Sequence, residues 1–222
     1  MKYISIDIET TGLDPETCNV LSIGAIIEDA ANPLPYDKCP KFHVAIVREQ
    51  LTGSPFAINL NKSLIESIAM WKEYPKQREA IEAETEMQFL YPEDVVEAFY
   101  DFLYENGFVD FDPMDLNRRV KVKNGKSYPM LTSNMKPASI TAAGKNFATF
   151  DKLFLEKLPR WKQCIRLKQR VLDPSILFIN WVEDTDVPNL LTCKQRADIS
   201  GEVTHNALED AWDVIQVMRK KY

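Results

Sequence analysis

The segment KYISIDIETTGL, residues 2–13, decides the fold that the sequence predicts. Over the first nine residues of the chain isoleucines alternate with more polar residues, so one face of a strand is apolar and the other face carries Asp7 and Glu9. Two residues that are two positions apart on a strand lie roughly 6–7 Å apart along the chain. The segment therefore predicts a strand that presents two carboxylates side by side.

The following residues place this strand in a larger architecture. Residues 20–28 and 41–47 also have strand patterns, and the turn Gly12-Leu13-Asp14-Pro15 precedes the second strand, so we expect a three-stranded antiparallel meander. Short strands are expected at 139–143 and 170–172. Helical spacing covers residues 61–74, 92–106, 147–158, 175–182, 189–197 and 206–221. Strands that alternate with helices after a meander predict a mixed α/β fold.

Length and charge limit the classes of protein that remain. The chain has 222 residues, 27 Lys plus Arg, 33 Asp plus Glu and a formal net charge of −6. This length suits a single domain, 1–222. The acidic balance argues against a protein that coats long nucleic acid through bulk charge, but it permits a local grip on one end.

The cysteines and the N-terminus predict a location. Cys18, Cys39, Cys164 and Cys193 have no C-x-x-C spacing and only two histidines accompany them, which argues against a structural zinc site. We expect free thiols in a reducing, intracellular compartment, the cytoplasm. The sequence shows neither a signal-peptide pattern nor a long apolar run, so no membrane partner is expected.

Asp7 and Glu9 are candidate metal ligands. Two neighbouring carboxylates repel each other unless a cation or a shared proton compensates, and hard cations such as Mg²⁺ or Mn²⁺ prefer carboxylate oxygens. An isolated pair of this kind is more often only two charges on a solvent-facing strand. The interpretation therefore depends on the rest of the chain.

Two further segments carry acidic residues in a suggestive setting. Asn146-x-x-x-Phe150-Asp151 follows the expected strand 139–143, and His205-x-x-x-x-Asp210 opens the last expected helix. Taken alone, each matches an ordinary helix start, where capping residues and acidic residues are favoured.

Taken together, in this order and spacing, the three segments resemble the motifs of the DnaQ-like DEDDh 3′→5′ exonucleases of the ribonuclease H-like superfamily. The resemblance extends from residue 5 to residue 211. It implies a ribonuclease H-like mixed sheet, an antiparallel three-strand meander plus parallel strands, flanked by helices.

The resemblance also implies a catalytic centre with two divalent metal ions, Mg²⁺ or Mn²⁺. Asp7 would bridge both ions, Glu9 and Asp210 would complete one site, and Asp151 would support the other. His205 would act as the general base toward the attacking water.

The residues expected to bind the end of the substrate are Thr10, Thr11, Gly12, Leu13 and Asn146. By resemblance, the first four line the pocket of the terminal nucleotide. Leu13 is either a wedge beside the last base or a core residue. Asn146 either orients the loop before Asp151 or caps the following helix.

A basic hairpin segment, at about 109–136, is expected as an insertion. Residues 116–136 contain six basic residues and no acidic ones, and Asn124-Gly125 predicts a hairpin turn. One interpretation is a clamp on phosphates upstream of the cut, made by Arg118, Arg119, Lys121, Lys123 and Lys126, with Tyr128 available for stacking. The other is a solvated hairpin whose lysines protect an exposed edge.

The sequence therefore predicts a metal-dependent exonuclease that releases 5′-mononucleotides from single-stranded 3′ ends, with DNA as the expected substrate. Two alternatives stay open. One is an oligoribonuclease or RNA-trimming enzyme. The other is a proofreading or scaffold subunit that acts mainly by binding a polymerase or another protein. The oligomeric state stays open as well.

Overall fold

The computed structural model describes residues 1–110, 120–123, 125–132 and 135–222. The strands are β1 (Lys2–Thr10), β2 (Val20–Asp29), β3 (Lys41–Ile46), β4 (Gln88–Leu90), β5 (Val120–Lys123), β6 (Lys126–Pro129), β7 (Ala138–Ile140), β8 (Ala142–Ala143) and β9 (Ile165–Leu167). The α-helices are α1 (Pro55–Leu60), α2 (Lys62–Glu73), α3 (Arg78–Thr85), α4 (Pro92–Glu105), α5 (Asp151–Leu155), α6 (Trp161–Cys164), α7 (Leu190–Arg196) and α8 (Ala207–Arg219). Within the described ranges, none of these helices has the length and apolar character that crossing a bilayer requires.

A five-stranded mixed sheet forms the centre of the fold, in the order β4-β3-β2-β1-β8. Strands β1, β2 and β3 form the predicted antiparallel meander, while β4 and β8 add to its two edges in parallel. The predicted α/β class, a mixed sheet with an antiparallel three-strand meander plus parallel strands, is confirmed.

The two faces of β1 pack against different helices. Ile4, Ile6 and Ile8 are buried in a core that includes residues of α4 and Trp161 of α6. The opposite face, which carries Asp7 and Glu9, lies on the side of α7 and α8. The acidic face of β1 is therefore covered by a helix, and it is not the solvent-facing face of an ordinary surface strand.

Gly24 permits the close approach of α8 to the sheet. It pairs with Asp7 across β1 and β2. A Cβ atom at this position would lie 2.3 Å from the backbone of both Ala207 and Leu208 at the start of α8. A residue with a side chain would therefore push the first turn of α8 away from Asp7.

Two expected elements are shorter or more divided than predicted. Residues 139–143 do not form one strand, because the chain changes sheets at Thr141: β7 pairs with β9, and β8 pairs with β1. The expected helix at 147–158 is reduced to α5, since Asn146 has a left-handed φ of 57° and irregular turns surround the helix. Pro174–Phe178 is a 3₁₀ helix rather than an α-helix over 175–182, and at 170–172 only Leu172 forms a bridge.

The basic hairpin exists, and it packs on α4. Strands β5 and β6 pair antiparallel. The ammonium group of Lys121 pairs with Glu97 and, at 2.9 Å, with Asp101, so this lysine already has acidic partners within the protein. Tyr128 donates to Glu105 at 2.5 Å. Arg118, Arg119 and Asn124, which also belong to the predicted clamp and turn, lie outside the described residues.

Candidate active site

Four carboxylates from three elements converge beside the start of α8. Asp7 and Glu9 project from β1, Asp151 is the first residue of α5, and Asp210 lies in the first turn of α8. Glu9, Asp151 and Asp210 are buried, and Asp7 is half-buried. The parallel pairing of β8 with β1 brings the segment before α5 to β1, and the packing of α8 on β1 and β2 brings Asp210 there.

The pKa values of all four carboxyl groups are raised, first of all by burial, and for Asp7 and Glu9 also by the charges of the other acids. Burial raises the pKa of Asp7 well above its usual range, and the charges of Asp151, Asp210 and Glu9 raise it further. Burial, followed by the charge of Asp210, raises the pKa of Glu9 to about 8. Burial also raises the pKa of Asp151 to about 7 and that of Asp210 to about 6. Carboxylates crowded in this way are stable only with bound protons or with a compensating cation.

His205 completes the cluster. Ligand atoms of Glu9, His205 and Asp210 all lie within 4.8 Å of one another. The side chain of Asn206 caps α8 by accepting hydrogen bonds from the N–H groups of Leu208 (3.0 Å) and Glu209 (3.2 Å), which fixes the start of the helix. His205 itself is exposed and has a left-handed φ of 54°.

Several observations fit a site for divalent cations. The donor atoms are carboxylate oxygens and one imidazole, which Mg²⁺ and Mn²⁺ accept. Oδ1 of Asp210 is buried and has no hydrogen-bond partner among the described residues. Buried polar atoms are normally satisfied, so this oxygen is suited to a ligand from outside the chain. Asp7, Glu9, Asp151 and Asp210 could therefore hold metal ions here.

Asn61, which sequence reasoning missed, supports Glu9 and the turn after β1. It is buried at the junction of α1 and α2, and its amide donates to the carbonyl oxygen of Thr10 at 3.2 Å. A hydrogen bond from the same side chain opposes the rise in the pKa of Glu9. Asn61 is far from the motifs in sequence, and as a single asparagine beside a helix it gave no signal.

The residues predicted to bind the terminal nucleotide have unequal exposure. Leu13 is 84% exposed, so the expectation that it is a core residue is wrong and the wedge prediction remains. Thr11 is buried; its N–H donates to Asn19, and its hydroxyl donates to Thr52. The hydroxyl of Thr10 donates to the carbonyl of Gly12 at 2.8 Å. These two threonine side chains shape the turn that presents Leu13.

Asn146 orients the loop before Asp151 and does not cap α5. The helix begins after Phe150 and has no side-chain cap. The carbonyl of Asn146 instead accepts hydrogen bonds from Thr149 and Phe150, both at 3.0 Å, and its own N–H donates to Asp173 at 3.0 Å. Asparagine tolerates the left-handed backbone that this turn requires.

A polar cleft of about 450 Å³ opens beside the cluster. Glu9, Asn61 and His205 line it together with His43 of β3. Burial lowers the pKa of His43 to about 4, so the imidazole is neutral near pH 7. His43 therefore adds a neutral polar group, and not a positive charge, to this wall.

Comparison with solved structures relates the fold of this chain to known proteins. Three similar structures are E. coli exonuclease I with a dT13 oligonucleotide (13% identity, TM-score 0.56), exonuclease I from Methylocaldum szegediense (15%, 0.53) and a zinc-bound form of the E. coli exonuclease I–ssDNA complex (13%, 0.54). The matches cover 98%, 99% and 98% of this chain. No protein-family model and no curated protein sequence matches the chain.

The chain thus has the ribonuclease H-like fold of the exonuclease I structures, as the motifs predicted. It spans about 40% of the length of those neighbours. At 13–15% identity the likeness defines the fold, and the chemistry must be argued from the site itself.

Proposed function

We propose that this chain is a metal-dependent 3′→5′ exonuclease that hydrolyses single-stranded DNA from its end and releases 5′-mononucleotides. The observation that carries the proposal is the convergence of Asp7, Glu9, Asp151 and Asp210 into one cluster, three of them buried and Asp7 half-buried, beside His205. Such a cluster of carboxylates does not stabilise the fold by itself, because each charge raises the electrostatic free energy of the others.

Mg²⁺ or Mn²⁺ held by these carboxylates would neutralise negative charge on the phosphodiester and on the leaving oxygen. Four carboxylate ligands suit a site for two such ions. His205 is proposed to accept the proton of the attacking water, and its closeness to Glu9 and Asp210, with ligand atoms within 4.8 Å of one another, supports this role. Since His205 is exposed, it can pass that proton to solvent.

The preference for a free single-stranded end has separate support. Leu13 is exposed in the turn that follows β1, the strand of Asp7 and Glu9, and an exposed apolar side chain there can separate the last base from its neighbour. The net charge of −6 disfavours tracking along a duplex through bulk charge. Two of the similar structures are complexes with dT13 or with ssDNA, which makes DNA the first substrate to test.

A direct test incubates the purified protein with Mg²⁺ or Mn²⁺ and a 5′-labelled single strand of DNA, a blunt duplex or a short RNA. We expect a ladder that shortens from the 3′ end of the single strand, and no cleavage in EDTA. Asp7→Asn should abolish cleavage and leave the circular dichroism spectrum unchanged. Asp184→Asn, at a half-buried carboxylate that pairs with Arg196 outside the site, is the matched control and should retain activity.

Each other outcome has a clear meaning. If Asp7→Asn degrades the strand at the wild-type rate, the assigned site is wrong. Degradation of the short RNA alone would move the substrate to the RNA-trimming alternative. If the wild-type protein binds a strand but degrades none of the three substrates with either metal, the proposed activity is refuted and a binding or scaffold role remains.

A further inference from the structure

A buried lysine lies behind the candidate active site. Lys194 of α7 is 3% exposed, and its ammonium group donates to the carboxylate of Asp213 and, at 3.0 Å, to the carbonyl oxygen of Glu202. Asp213 lies on α8, three residues after Asp210. One side chain therefore joins α7, α8 and the loop between them.

That loop, residues 198–206, carries His205 and has a backbone that needs support. Asp198, Gly201 and His205 all have positive φ, at 52°, 102° and 54°. Such conformations in residues other than glycine persist only where the surroundings hold them. The carbonyl oxygen of Lys194 accepts a hydrogen bond from the N–H of Ile199 at 2.9 Å, near the start of the loop. The ammonium group of the same residue binds the carbonyl oxygen of Glu202, further along the loop. Lys194 therefore holds the loop at two points.

The far end of the loop is tied to the acidic cluster. The N–H of Thr204, the residue before His205, faces the carboxylate of Asp210 and opposes the rise in its pKa. The ammonium group of Lys194 thus holds the loop at Glu202, and two residues further on Thr204 contacts Asp210.

We propose that Lys194 and Asp213 are positioning residues, which lock the loop of His205 onto α8 and so keep His205 and Asp210 in register. The catalytic consequence rests on the proposed function, whereas the locking of the loop does not. Neither residue touches the substrate in this assignment.

The test must separate positioning from stability. Lys194→Met removes the tie to Glu202 but leaves Asp213 buried without its partner, which is strongly destabilising. The double variant Lys194→Met/Asp213→Leu removes both buried charges, and such replacements are often neutral for stability. Arg196→Met is the matched control, because Arg196 lies on the same helix and pairs with Asp184, away from the cluster.

We expect Lys194→Met to melt at a lower temperature than the wild type, and the double variant to recover most of that loss. Both should nevertheless lose about 10- to 100-fold in kcat with little change in KM for single-stranded DNA, because a misplaced catalytic group impairs turnover more than strand binding. Amide hydrogen exchange of residues 202–205, measured without metal, should be at least about 10-fold faster in the double variant. The amides of α8 and the activity of Arg196→Met should stay close to wild type.

Recovery of wild-type kcat together with stability in the double variant would overturn the proposal, since the pair would then act through stability alone. Unchanged exchange at residues 202–205 would overturn it as well. If the wild-type protein proves inactive but these amides still exchange faster in the double variant, the proposed function fails while the locking of the loop stands.

Discussion

Asp151→Asn should stabilise the metal-free protein at alkaline pH while it abolishes activity. Burial raises the pKa of Asp151 from 3.8 to about 7 in the folded protein. The folded state therefore holds this proton more tightly than the unfolded state, and its stability falls as pH rises from about 4 to about 7. Asparagine has nearly the same shape and no charge, so it escapes this loss.

The structure sets the magnitude. A rise in pKa from 3.8 to about 7 corresponds to a penalty on the order of 4 kcal/mol for the ionised form, of which roughly 60% develops between pH 5 and pH 8. Relative to wild type, the free energy of unfolding of Asp151→Asn should therefore rise by about 2–3 kcal/mol from pH 5 to pH 8. The carbonyl of the asparagine can still accept the N–H groups of Asp151 and Ile8 that face the carboxylate.

The assay is urea unfolding in EDTA at both pH values, followed by the fluorescence of the buried Trp71 and Trp161. Adding Mn²⁺ should reverse the order at pH 8, because the wild-type site binds the ion more tightly. Asp184→Asn is the matched control: pairing with Arg196 lowers the pKa of Asp184 to about 2, so its loss cannot stabilise the protein as pH rises. A variant that is equally or more destabilised at pH 8 than at pH 5 would refute the reasoning.

Three further changes test other parts of the site. Gly24→Ala should lower the free energy of unfolding by about 1–3 kcal/mol, because the new methyl group meets the backbone of α8. It should also weaken Mn²⁺ binding, since the first turn of α8 carries Asp210. Unchanged results in urea unfolding and in Mn²⁺ titration would contradict this reasoning. Leu13→Ala should change the free energy of unfolding by less than about 0.5 kcal/mol, because the side chain is exposed. It should raise KM for single-stranded DNA about tenfold, because the apolar contact with the last base is lost. An unchanged KM would exclude the wedge. Asn61→Ala should raise the pKa of Glu9 further, because the hydrogen bond that opposes this rise is lost. Glu9 is then more often protonated at pH 7 than at pH 9, so the Mn²⁺ concentration for half-maximal activity should rise more at pH 7. An equal rise at both pH values would indicate a general disruption of the site.

Local patterns predicted the long, regular elements. The alternation in β1 and the helical spacing in α4 and α8 predicted elements within two residues of their observed bounds. Short elements were predicted poorly, because β4 and β8 have three and two residues and are defined by pairing with distant strands. The helix expected at 147–158 was wrong over most of its length, since Asn146 has a left-handed backbone whose N–H donates to Asp173, 27 residues away in the chain.

The sequence by itself determined the chemistry that is available: which residues carry carboxylates and imidazole, and on which faces of strand and helix they stand. This follows from periodicity, which is a property of neighbouring residues. Only the tertiary structure decided that the acidic face of β1 is covered by α8, and that Asn61 and Lys194 support the cluster. These facts depend on close approaches, such as the one at Gly24, between segments far apart in the chain. The four acidic residues form one site only in the folded protein, because folding brings segments that are distant in the chain together. Only then do their charges repel one another and raise their pKa values.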